Sequence, residues 1–361
     1  MRERILFIEQ LRAIAVLCVV AAHTLYELRH FGLAGDELRK AFNHIPFHYG
    51  VDLFFVISGF IMMYTFGEKF GQKGVVRDFM LRRLIRIVPA YWVYTTLFLF
   101  ALIIVPGVAD RAQFDGLHYL TSLLFLPYLS DTQGISPLLS IGWSLNYELY
   151  FYIFFAIGLA FMRGLGIAVV VMCCALSFIF AQTLLPFGAL QLVFAKDYLF
   201  IFLLGMLCFF VHGNKRGTLV LFFIFLAASL LSFYLGINSH ALKIGCLAAA
   251  LFLMYGFFVT NPRESFFTSI GTLSYIIYLS HAFVLETLSR VFLKIFGDSA
   301  LSAVSYTITV FVAAVMWSSI YHHYADMPMT NWLKKKCIKP QVSAPPLQSP
   351  GQPVPHLQPQ P

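Results

Sequence analysis

The chain has 361 residues, of which 59% are hydrophobic, 17% aromatic and only 12% charged. Ordinary soluble domains carry about 25% charged residues, so a soluble globular fold is excluded as the main architecture. A net charge of +8 would raise nucleic acid as a partner in a soluble protein. Here the lysines and arginines gather between apolar runs, as the positive-inside rule requires, and no nucleic-acid partner is expected.

The N-terminal Met1-Arg2-Glu3-Arg4 leads into an apolar stretch that contains Glu9 and Arg12 and is followed by no small-residue cleavage site. It reads as a retained first helix rather than a signal peptide. A bilayer core about 30 Å thick takes about 20 apolar residues per helix. Apolar runs predict helices at about 5–27, 49–66, 89–106, 143–162, 165–184, 197–212, 217–236, 242–260, 268–296 and 301–324. The stretch 107–142, broken by Pro127, Gly134, Pro137 and Gly142, reads as an interfacial or re-entrant excursion. The expected fold is all-α: residues 1–330 form a polytopic transmembrane bundle of about ten helices. Residues 331–361 form a tail that is first basic, then Pro-rich and disordered.

With ten spans and a cytoplasmic N-terminus, Lys69, Lys73, Arg77, Arg82, Arg83, Arg86, Arg163, Lys215, Arg216, Arg263 and Lys334 to Lys336 all fall inside. The outer segments hold a thinner set, mainly Arg29, Arg39, Lys40, Arg111, Lys196 and Lys243. Both termini are then cytoplasmic. Of the six cysteines, Cys18, Cys173, Cys174, Cys208 and Cys246 lie in apolar spans and Cys337 in the basic segment, with neither a disulfide framework nor metal-ligand spacing.

A charge at the bilayer centre costs at least about 2.5–3.5 kcal/mol, so each intramembrane polar group asks for a partner or a function. The first helix holds Arg12, His23 and Glu27. Eleven steps of about 100° bring His23 round to the face of Arg12, roughly 16 Å away along the axis. An anionic ligand held at Arg12 near the cytoplasmic mouth would present its far end to the imidazole. His23 alone also reads as a neutral core histidine, and Arg12 as a structural ion pair with Glu9.

In the second helix, Asp52 sits about a turn inside the outer rim, as a candidate catalytic carboxylate or a helix-start charge. Ser58 and Gly59 lie deeper, as cavity lining or close packing. Before Pro89, Arg82-Arg83-Leu84-Ile85-Arg86 places two guanidinium forks within reach of one ligand if helical. That suits a phosphate, although such clusters also anchor loops to anionic lipid. In the fourth helix Trp143 fits an interfacial belt, and Glu148, about 7–8 Å deeper, could orient His23. Ser274, Tyr278 and His281 share one face of the ninth helix, as a cavity-lining stripe or hydrogen-bonded packing. His322, His323 and Asp326 raise a metal site as a reading, but adjacent histidines point apart on a helix and no metal is expected.

These landmarks resemble the acyltransferase-3 family of integral membrane acyltransferases over about residues 5–326. The resemblance is carried by Arg12 and His23, Gly50-Val51-Asp52-Leu53-Phe54-Phe55 with Ser58-Gly59-Phe60, Arg83-Leu84-Ile85-Arg86, and Trp143-Ser144-Leu145 with Glu148. It implies a ten-helix domain of the bacterial inner membrane that moves an acyl group, most often acetyl, from acyl-coenzyme A to a hydroxyl of a surface glycan or lipid-linked sugar. It also implies an essential His23 and a donor held by Arg12, Arg83 and Arg86. Many relatives add an extracytoplasmic hydrolase-like domain. None is expected here, so direct transfer from the membrane core is anticipated. Relatives often carry glutamate where Asp326 stands, which leaves that position unassigned. The rival from another class is a transporter or exporter of a glycan or lipid-linked sugar built on the same buried groups.

Overall fold

The computed structural model describes residues 5–30, 49–104, 115–130, 134–183, 188–259, 262–296 and 300–338. The long helices are α1 (Leu6–His30), α2 (Gly50–Phe66), α3 (Val75–Ile104), α5 (Trp143–Leu159), α6 (Arg163–Thr183), α8 (Tyr198–Val211), α9 (Lys215–Tyr234), α10 (Cys246–Phe258), α11 (Phe266–Phe296) and α12 (Ala300–Tyr321). Shorter ones are α4 (Gly116–Leu123), α7 (Ala189–Phe194) and α13 (Met327–Cys337). Wide π turns, Ala241–Gly245 and His322–Asp326, open α10 and join α12 to α13. Seven of the described helical segments are long and apolar enough to cross a membrane. α2 and α8 are apolar but shorter.

α1 packs along α11, and α2 packs along α8. Phe202 of α8 stacks on both Phe55 of α2 and Phe151 of α5, with centroids 4.5 Å apart in each case. Large apolar side chains such as Phe223, Ile224, Ile308 and Val312 instead stand on the outside of α9 and α12, where hydrocarbon is their natural solvent. Backbones come unusually close at three glycines. A Cβ on Gly59 would lie 2.0 Å from the Phe202 carbonyl oxygen, one on Gly205 2.0 Å from that of Val56, and one on Gly271 1.8 Å from that of Glu9. Small residues permit such contact, and van der Waals packing is what holds helices together in lipid.

Two expectations need correction. The third helix begins at Val75, not near residue 89, and runs through Pro89. The arginine cluster is therefore helical, which meets the condition for Arg83 and Arg86 to reach one ligand. Beside the proline the Tyr275 hydroxyl donates to the Ile87 carbonyl at 2.6 Å, tying α3 to α11. At the other end, residues 331–337, assigned to the tail, are helical in α13, where Pro328 occupies the first turn and needs no N–H partner. The excursion before α5 contains structure of its own. Asp115 caps α4 by accepting from the Leu117 N–H at 2.9 Å. The two-residue strands β1 (Leu129–Ser130) and β2 (Gly134–Ile135) pair antiparallel, Leu129 opposite Ile135. Arg39, Lys40, Arg111 and the Pro-rich tail lie outside the described residues.

The close approaches give a first prediction. Gly59→Val should destabilise the detergent-solubilised protein by at least about 1–3 kcal/mol, the usual cost of overpacking. Gly164→Ala, where a Cβ meets nothing within 4 Å, should be neutral or slightly stabilising. Thermal unfolding of both variants checks this.

Candidate active site

Arg12 (α1), Ser58 (α2), Arg83 and Arg86 (α3), Glu148 (α5), and Ser274 and Tyr278 (α11) line one narrow chamber of about 70 Å³. Glu148 is tied by two hydroxyls. Ser58 Oγ donates to its Oε1 at 2.7 Å, and Tyr152, one helical turn on, donates to the same oxygen. Arg83 is 7% exposed. Its guanidinium lies 5.7 Å from the Phe79 ring centroid and 5.5 Å from that of Tyr152, and donates to Thr65 Oγ1 at 3.4 Å. Its Nε has no partner. Ser274, fully buried, also leaves its hydroxyl unpartnered. Unsatisfied groups of this kind cost about 1–3 kcal/mol each, and they gather here at a cavity wall.

Toward the end where α1 and α13 meet α3, the chamber opens into a vestibule of about 810 Å³. Arg12, Arg83, Arg86, Ile61 and Tyr275 belong to both. Six cations line the vestibule, Arg12, Lys69, Arg82, Arg83, Arg86 and Lys334, against two acids, Glu9 and Asp326. Two of the six are paired locally, Arg82 with Asp78 at 2.8 Å and Arg12 with Glu9 at 3.7 Å. Asp326 is held by His322, whose Nδ1 lies 2.8 Å from Oδ2.

At its other end the chamber is closed by Tyr278. This hydroxyl has one proton and donates it to the Ile141 carbonyl at 2.6 Å, so it accepts from Ser144 Oγ at 2.8 Å. Beyond it stands His281, ring centroids 5.9 Å apart, and then His23. His23 Nδ1 and His281 Nε2 are 2.7 Å apart. The proton positions follow from the carbonyls. His281 Nδ1 faces the Tyr278 and Ile277 carbonyl oxygens at 2.6 and 3.2 Å. Carbonyls only accept, so a neutral His281 carries its proton on Nδ1 and accepts at Nε2. His23 therefore donates from Nδ1, which leaves its Nε2 as an unprotonated lone pair. The group in contact with His23 is thus His281, not Glu148. Glu148 is engaged by Ser58 and Tyr152 on the other side of Tyr278.

Asp52 also stands apart. Its Oδ1 lies 2.7 Å from His240 Nε2, just before α10, and it is engaged there rather than beside Glu148. The same rim contains Asp197, which accepts from Ser239 Oγ at 2.6 Å and from the Ala241 N–H at 3.0 Å. Tyr152 was within reach of sequence reasoning, being four residues after Glu148 on a helix. His240 was not, because 188 residues separate it from Asp52.

Burial lowers the affinity of His240 for protons, but the hydrogen bond and charge of Asp52, with the charge of Asp197, outweigh it and raise the pKa. A raised folded-state value stabilises the fold fully below the unfolded histidine's pKa of about 6.5. That contribution disappears as pH rises through the folded value. Thermal stability should therefore fall above neutral pH in the wild type, and Asp52→Asn should flatten this dependence. Melting curves from pH 5 to 9 on both proteins check it.

A family model described as "Acyltransferase domain" matches residues 5–323. The chain is 32% identical over 256 residues to "Exopolysaccharide production protein ExoZ" of Rhizobium meliloti (strain 1021), covering 68% of this chain and 79% of the relative. It is 28% identical over 163 residues to "Protein 2 in picA locus" of Rhizobium radiobacter, covering 41% and 78% respectively. No solved structure matches. The extent of the match over the apolar bundle makes this chain a multi-pass membrane protein of the acyltransferase-3 family.

Proposed function

We propose that the protein is an O-acyltransferase that takes an acyl group from acyl-coenzyme A on the cytoplasmic side and places it on a hydroxyl of a surface glycan. The observation that carries this reading is the continuity of the cationic vestibule with the narrow chamber. A donor with a polyanionic nucleotide head and a slender thioester arm matches that change of bore. Guanidinium forks suit phosphates, and Arg83 and Arg86 sit where the two cavities meet. A chamber of about 70 Å³ favours a short acyl group, and acetyl is the group proposed. The exopolysaccharide relative supports a polysaccharide acceptor. The proposed setting is the bacterial inner membrane, with about ten spans and both termini cytoplasmic, since the vestibule then shares its side with the basic loops.

In this mechanism His23 Nε2 takes the proton of the acceptor hydroxyl as that oxygen attacks the thioester carbonyl. The new C–O bond forms, the C–S bond breaks, and the proton passes to the departing thiolate. His281 acts through His23, fixing its tautomer as the third member of a triad does. Glu148, with Arg12, balances charge at the chamber. Tyr278 must move, since its bonds to Ser144 and Ile141 close the way between chamber and histidines.

Two predictions follow from this geometry. His23→Ala should lower acyl transfer by about 10²–10⁴-fold, the range for a lost general base. His281→Phe should lower it less and shift its pH profile. Both variants should insert and purify normally. Radiolabelled acetyl-coenzyme A with purified protein and acceptor checks this. Full activity in His23→Ala, or gradient-driven sugar uptake without donor consumption, would overturn the enzyme reading in favour of transport. Arg83→Ala and Arg86→Ala should raise the donor KM about tenfold or more each, the loss of a charge-assisted hydrogen bond, with a smaller effect on kcat.

A further inference from the structure

On the outer side of α5 lies a second pocket, of about 230 Å³, separate from the chamber. Trp143, Asn146 and Tyr147 face it, whereas Ser144, Leu145 and Glu148 of the same helix face the chamber. Three rings in mutual contact form one wall. Trp143, Tyr147 and Tyr198 have centroids 5.1 to 5.9 Å apart. Tyr147 is fixed, its hydroxyl donating to the Val193 carbonyl at 2.8 Å. Asn146 is 5% exposed, and its carboxamide oxygen has no partner among the described residues. Lys196 adds an exposed ammonium at the rim.

An aromatic wall, one unsatisfied buried acceptor and one cationic donor form a specific combination. A lipid tail would satisfy the rings but leave the Asn146 oxygen desolvated, at about 1–3 kcal/mol. A pyranose satisfies all three: its C–H face lies against rings, its hydroxyls donate to Asn146, and its oxygens or an acidic substituent accept from Lys196. The volume is below the roughly 300 Å³ of ordinary ligand pockets, which suits one ring. Because a helix about 10 Å across separates pocket from chamber, that ring is not the one that reacts.

We infer that this pocket is an acceptor subsite, holding a sugar unit next to the one acylated, so that the acceptor is a glycan chain draped over the outer end of α5 rather than a free monosaccharide. The inference rests on the acyltransferase reading above.

The test uses full-length protein in nanodiscs. Its acceptors are fragments of the producing cell's own surface polysaccharide, stripped of acyl groups by mild base and sorted by length. In the wild type, acceptor KM should fall as fragments lengthen beyond one sugar. Asn146→Leu, and independently the fold-safe surface change Lys196→Ala, should raise the long-fragment KM about tenfold, toward the single-sugar value, with kcat and donor KM little changed. The same KM for single sugars and long fragments in the wild type, or an unchanged length dependence in both variants, overturns the subsite. Fragment binding is also read directly by tryptophan fluorescence, with Trp143→Phe as the signal control. Long fragments that bind in a Lys196-dependent way without any donor turnover would keep the subsite and overturn the acyltransferase reading. Turnover without such binding would do the reverse.

Discussion

Two guanidinium groups, those of Arg12 and Arg83, are less than a tenth exposed inside a bundle whose natural surroundings are hydrocarbon. Each would cost several kcal/mol if left alone, and the packing of α1, α2, α3 and α5 answers that cost. Glu148 supplies countercharge to the chamber, and Ser58 and Tyr152 hold the carboxylate in place. The rings of Phe79 and Tyr152 flank Arg83. The cavity is where this compensation is incomplete. The unpartnered Nε of Arg83 and hydroxyl of Ser274 remain available to a ligand that can bring acceptors and donors of its own.

The histidine pair obeys a different economy. Among the described residues it has no countercharge in direct contact, and its order comes from two backbone carbonyls on α11 that dictate which nitrogen of each ring carries hydrogen. Polar chemistry is thus divided along the bundle axis. Charged groups that can grip an anionic substrate lie on one side of Tyr278, and neutral imidazoles that can move a proton lie on the other. In the proposed mechanism this separation keeps the His23 base from being silenced by an adjacent cation or permanently protonated by an adjacent carboxylate.

Much of this was legible before any coordinates. Arg12, Ser58, Arg83, Arg86, Glu148, Ser274 and Tyr278 were singled out by their polarity in apolar surroundings, and they line one chamber. Helical spacing carries such information well, because residues on one helix keep their relation wherever the helix packs. Relations between distant helices are carried only by the packed fold. The pairing of His23 with His281 spans 258 residues, and that of Asp52 with His240 spans 188. The sequence therefore offered Glu148, not His281, as the group that orients His23. Helix limits failed at Pro89, which reads as a breaker in isolation and yet lies inside the continuous helix α3.

The π turn at His322–Asp326 has a consequence for the vestibule. Residues four apart on a regular α-helix drift by about 40° per step, so a stripe at that spacing soon winds away from its target. His322, Asp326, Thr330 and Lys334 nevertheless all line the same cavity. The wide turn takes up part of the winding, acting as a one-residue gearing between a lipid-facing α12 and a cation-bearing α13. Shortening that turn by a residue would keep the helix intact and swing Lys334 away from the cavity, so the register of a single turn determines which charges the vestibule displays.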